Sequence, residues 1–88
     1  MKLDIGSAEM KRHEDGSYVG QVRFRVEGHP QAYEITLFSE AGDAWDYGLH
    51  FAEESGSEAH IDAVEAFLEE DDDAFEALVE AALAAQAK

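Results

Sequence analysis

Along residues 18–27 apolar and polar side chains alternate, with Val22, Phe24 and Val26 set between Gln21, Arg23, Arg25 and Glu27. A period of two is that of a β-strand with one buried face. The same period returns in residues 32–39, with Tyr33, Ile35 and Leu37 inward and Glu34, Thr36 and Phe38 outward. It returns again in residues 44–52, with Trp45, Tyr47, Leu49 and Phe51 inward and Asp46, Gly48 and His50 outward. Residues 2–12 read as a first strand with a phase change, because Leu3 and Ile5 share one parity and Ala8 and Met10 the other. One extra residue near Gly6-Ser7 accounts for the shift, so a β-bulge is expected there. Turn signals separate the strands: Asp15-Gly16, then Gly28-His29-Pro30-Gln31, then the glycine-containing segment 40–43. Asp-Gly is among the strongest short hairpin signals.

Beyond Ser57 the period changes. Ile61, Val64, Phe67 and Leu68, and then Phe75, Leu78, Val79, Ala82 and Leu83, recur at the spacing of a helix with one buried stripe. Between the two sets lies the run Glu69-Glu70-Asp71-Asp72-Asp73. Aspartate is a poor interior helix residue and a good N-cap. Asp73 with Glu76, and Ser55 with Glu58, have the spacing of a capping box. Two helices are therefore predicted, over residues 57–70 and 73–86. The competing reading is one continuous helix, since no Gly or Pro interrupts the stripe and Asp71 is its only misfit. A helix of about thirty residues would run roughly 45 Å, too long for a small sheet, and would call for a partner chain. The Ala-rich segment 81–87 is a good helix former, with fraying expected in the last two or three residues.

The order is ββββαα. Short turns between consecutive strands favour an antiparallel meander. Its apolar face needs a cover, which the helices supply. The expected fold is an α+β single domain, with the sheet in residues 1–54 and the helices in 55–88, both packed on one sheet face.

Composition narrows the function classes. Eighty-eight residues allow one core. The absence of cysteine excludes disulfides and Cys-based metal centres. The N-terminal residues lack an apolar signal segment, and no apolar run reaches membrane length. A soluble protein of a bacterial or archaeal cytoplasm is expected. The net charge of −15 is unevenly placed: residues 1–38 carry five Lys/Arg and six Asp/Glu, and residues 39–88 carry one Lys and fifteen Asp/Glu. Such a balance argues against direct binding of nucleic acid and against an anionic membrane.

No motif points to catalysis, a cofactor or a metal. His13, His29, His50 and His60 lie more than four residues apart, outside every short metal-ligand spacing. The run from Glu69 to Asp73 lacks the glycine and the alternating ligands of a calcium loop. No serine sits in a nucleophile elbow, and no glycine-rich phosphate loop is present.

Two surfaces remain as interaction candidates. The helices carry Glu65, Glu69, Glu70, Asp71, Asp72, Asp73, Glu76 and Glu80, among which Glu65–Glu69, Glu69–Asp73 and Glu76–Glu80 are like-charge pairs at i, i+4, and no Lys or Arg falls between Gln31 and Gln86 to relieve them. Each such pair costs a few tenths of a kcal/mol. This face reads as solubilising surface, as a site for a basic partner, or as adaptation to a salty cytoplasm, where screening removes the repulsion. On the outer sheet face Arg23, Arg25, Phe38 and His50 combine residue types enriched in interfaces. The functional expectation is a non-enzymatic protein-interaction or regulatory module, with a partner protein that has a basic surface. A nucleic-acid mimic blocking a basic groove is the narrower alternative, and a small metal protein or enzyme the remote one. Homodimerisation through edge strands or a continuous helix is a separate expectation.

Overall fold

A computed structural model describes residues 1–86. Its elements are β1 (Leu3–Arg12), β2 (Tyr18–Val26), β3 (Tyr33–Ser39), β4 (Asp46–Phe51), α1 (Glu58–Glu70) and α2 (Asp72–Gln86). The strands pair antiparallel in the order β1-β2-β3-β4, so the sheet is the expected meander. Residues 87 and 88, on which part of the expected fraying falls, lie outside the described residues.

Local chemistry explains the turns and the bulge. At the first hairpin the Ser17 N–H and hydroxyl both donate to Asp15 Oδ1, at 2.9 and 2.6 Å. Gly16 follows Asp15 with φ +89, a conformation that a side chain would strain. The register of β1 on β2 slips between Ile5 and Ser7, which is the bulge read from the phase change. Ala8 pairs with Val22 and Met10 with Gly20 beyond it. Gly20 is required there, because a Cβ would come within 2.8 Å of Met10 Cε and 2.9 Å of the Glu9 carbonyl oxygen.

The inner face carries Val22, Phe24 and Val26 of β2 and Tyr33, Ile35 and Leu37 of β3, all buried. Val64 and Leu68 of α1, and Leu78, Val79 and Ala82 of α2, close over them. The helix α2 lies on β1 and β2, and α1 lies on β4. Tyr18 is half-buried against this core. It shares the parity of Val22 and Phe24, its ring lies 6.1 Å from that of Trp45, and the Arg12 guanidinium sits 5.9 Å above it.

The helical layer breaks in two at Asp71. This residue is extended (φ −113, ψ 96), its N–H donates to the Phe67 carbonyl at 2.8 Å, and its carbonyl accepts from Phe75 N at 3.3 Å. Its carboxylate accepts from Ala74 N at 3.2 Å. One aspartate thus ends α1 and caps α2, which excludes the continuous helix. The caps sit two residues from the expected positions in each case. Asp71 takes the role read for Asp73, and Ser57 takes that read for Ser55, its Oγ accepting from His60 N at 3.4 Å. The capping-box spacing fits only Ser55 and Asp73, whereas Ser57 and Asp71 cap with His60 and Ala74 at the third position, and the stripe that must face the sheet selects them.

Asp71→Ala should lower unfolding free energy by about 1 kcal/mol in a denaturant titration, whereas Asp73→Ala, which removes no such bond, should change it by less than half of that.

Candidate functional site

The acidic face is built from the polar sides of both helices. Glu65 and Glu69 lie on α1, Glu70 is its last residue, and Asp72, Asp73, Glu76 and Glu80 lie on α2; all seven side chains are exposed. Asp71, the eighth candidate, is only half-exposed, and its carboxylate is engaged in the cap. The structure thus brings seven of the eight onto open surface and gives Asp71 a structural duty instead.

These carboxylates are not uniformly solvated. Tyr47, projecting from β4 beneath the helix junction, donates its hydroxyl to Glu69 Oε1 at 3.3 Å. Burial first, and then the charges of Glu69 and Glu65, hold the Tyr47 hydroxyl above its usual pKa. On the far side of α2, Glu76 and Glu80 border a shallow recess with Asp43, Trp45, Phe75 and Val79. The ion pairs among the described residues are Arg23–Glu34, Arg23–Glu53 and His50–Glu34, and none includes a helix carboxylate.

The outer sheet face is a different kind of surface. Arg23, Glu34 and His50 are cross-strand partners on β2, β3 and β4. Arg23 Nε donates to Glu34 Oε2 at 3.0 Å, and His50 Nε2 lies 2.9 Å from Glu34 Oε1. The bond to His50, followed by that to Arg23, holds the Glu34 carboxyl below its ordinary range against the opposing effect of burial. Glu34, absent from the sequence candidates, is what joins two of them. Arg25 pairs in register with Asp4 of β1, and Phe38 stands between Val19 and Asp46, 40% exposed. Arg25 and Phe38 therefore share the face without a hydrogen bond or ion pair to the Arg23–Glu34–His50 row.

A further cluster joins the β2–β3 turn to the start of α1. His29 Nδ1 is hydrogen-bonded to the Tyr33 hydroxyl at 2.8 Å, and its ring stacks on that of His60, with centroids 4.4 Å apart and planes at 20°. Burial and the neighbouring His60 push the His29 imidazole below its ordinary value of 6.5. Sequence reading had no access to this contact, since 31 positions separate the two histidines and only the packing of α1 unites them. Among the described residues no three His, Asp or Glu side chains converge as a metal site requires, and no helix is long and apolar enough to cross a membrane.

Comparisons with protein-family models, with curated proteins and with solved structures each return no match.

The depressed pKa values of His29 and Glu34 begin to act at different pH. A lowered His29 pKa means that the unfolded chain takes up the proton first, so stability is full above 6.5 and declines as pH falls below it. Glu34 contributes stability that is full above its ordinary 4.5 and is lost as pH falls through its depressed value. Each effect should lower the thermal midpoint on acidification, and Glu34→Gln should reduce the loss below pH 4.5 while leaving in place the loss that begins below 6.5.

Proposed function

We propose that the protein is a small non-enzymatic interaction module whose acidic helical layer docks on a basic surface of a partner protein. The reading places it in a prokaryotic cytoplasm. The observation that supports it most is the lack of any ion pair to the helix carboxylates among the described residues. A purely solubilising surface would gain from Glu–Lys pairs at i, i+4, each worth about 0.3–0.5 kcal/mol on a helix. Here that stabilisation is forgone along both helices. Seven exposed carboxylates are held on a rigid two-helix platform, with Glu69 anchored by Tyr47. A platform of fixed negative charge raises association rates with cationic surfaces and loses that advantage in salt. The balanced charge of residues 1–38 weighs against general salt adaptation, which would act on the whole surface.

Immobilised protein should capture a basic partner from host lysate at low salt and release it steeply as ionic strength rises. Replacing Glu69, Glu70, Asp72 and Asp73 together by the amides should weaken that complex by about tenfold or more. Capture unaffected by either change would sink the proposal. Displacement of the partner's bound DNA or RNA by the module would narrow the reading to nucleic-acid mimicry.

A further inference from the structure

We propose that the outer face of the sheet is the interface of a two-fold symmetric homodimer, with the helical layers of the two copies turned outward. The register arranges this face in rows that cross all four strands. One row is Lys11, Val19, Phe38, Asp46, and another is Ser7, Arg23, Glu34, His50. A two-fold axis lying between two copies and parallel to the strands places β1 over β4 of the second copy and β2 over β3. Each row then meets itself in reverse.

The rows are complementary under that operation. Lys11 faces Asp46 of the second copy and Val19 faces Phe38, each contact occurring twice as an isologous interface requires, while Arg23 and Glu34, already paired within each chain, lie opposite the same pair of the second copy. Size is matched as well as charge. Glu9 comes over Gly48, above which a Cβ would find nothing within 4 Å. The pairing follows from where the cations stand. On the outer face Lys11, Arg23 and Arg25 all belong to β1 and β2, beside Asp4 and Glu9 of β1, whereas β3 and β4 contribute Glu34 and Asp46 and no lysine or arginine. Aligned packing of two sheets is a standard arrangement.

Electrostatics selects this face over the others. With a net charge of −15, two copies repel strongly wherever a helical layer takes part. In the face-to-face arrangement two sheets separate the helical layers, which lie roughly 30 Å apart on sheet and helix packing distances of about 10 Å each. That separation is several times the ~8 Å Debye length of physiological salt. The exposed Phe38 supplies the largest apolar contact on the face. Four strands of about seven residues give a projected footprint of roughly 19 by 23 Å, smaller than the ~800 Å² per partner of a standard stable interface. The dimer is accordingly weak and concentration-dependent.

Sedimentation equilibrium of the full chain, from micromolar to about millimolar concentration, reads the proposal directly. The mass should rise from the monomer's 9.7 kDa toward twice that value. Lys11→Glu and Asp46→Lys should each weaken association about tenfold, from two lost and two repelling contacts per dimer. The double variant should restore it, because the reversed charges meet again. Phe38→Lys should remain monomeric with an unchanged circular dichroism spectrum. A monomer mass at every concentration overturns the proposal. So does a dimer indifferent to the single reversals, or one that the double variant fails to restore, since either points to pairing elsewhere.

Discussion

The fold rests on the burial of one apolar sheet face. Val22, Tyr33, Ile35 and Leu37 show 0% exposure, and the residues that seal them come from both helices. Water is excluded only while α1 and α2 both stay in place, and this decides much else. Helix positions that face the sheet are spoken for by Val64, Leu68, Leu78, Val79 and Ala82. Ile61, Phe67, Ala74, Phe75 and Leu83 pack at the edges of that stripe, and most of the exposed helix positions are carboxylates or alanine. Core and charge are thus written on opposite sides of the same two helices, so a substitution that rotates either helix would expose apolar surface and bury charge together.

Asp71 reconciles a long amphipathic stripe with a small sheet. A single extended residue lets α1 stay over β4 while α2 crosses onto β1 and β2. The acids around this joint differ in their energetics. Asp72 and Asp73 sit in the first turn of α2, where the helix dipole favours negative charge. Glu69 and Glu70 sit in the last turn of α1, where it opposes it, and neither helix has a basic residue in its last turn to compensate. The hydroxyl of Tyr47 offsets part of that cost at Glu69.

Much of the architecture was legible because it depends on local periods. Alternation in β2, β3 and β4 marked the inner face, and the parity change in β1 marked the bulge. Helix caps were legible only to within two residues, since several Ser and Asp candidates stand side by side and tertiary packing chooses among them. The acidic candidates were visible as composition, but the distinct role of Asp71 was not, as it depends on a backbone conformation. Contacts such as Arg23–Glu34–His50 and His29–His60 lay beyond a linear reading. The first needs the strand register and the second needs the docking of a helix on a turn.

The placement of the basic residues has one more consequence. Lysines occur only at positions 2, 11 and 88, and the last arginine is Arg25. Trypsin therefore has no cleavage site from Val26 to Ala87, so β3, β4 and both helices remain within one long peptide even after complete digestion. Within that span, too, there is no lysine to acetylate, ubiquitylate or cross-link through an amine. Labelling of the helical layer has to go through its carboxylates, and its charge is not open to adjustment by lysine modification in the way that many interaction surfaces are.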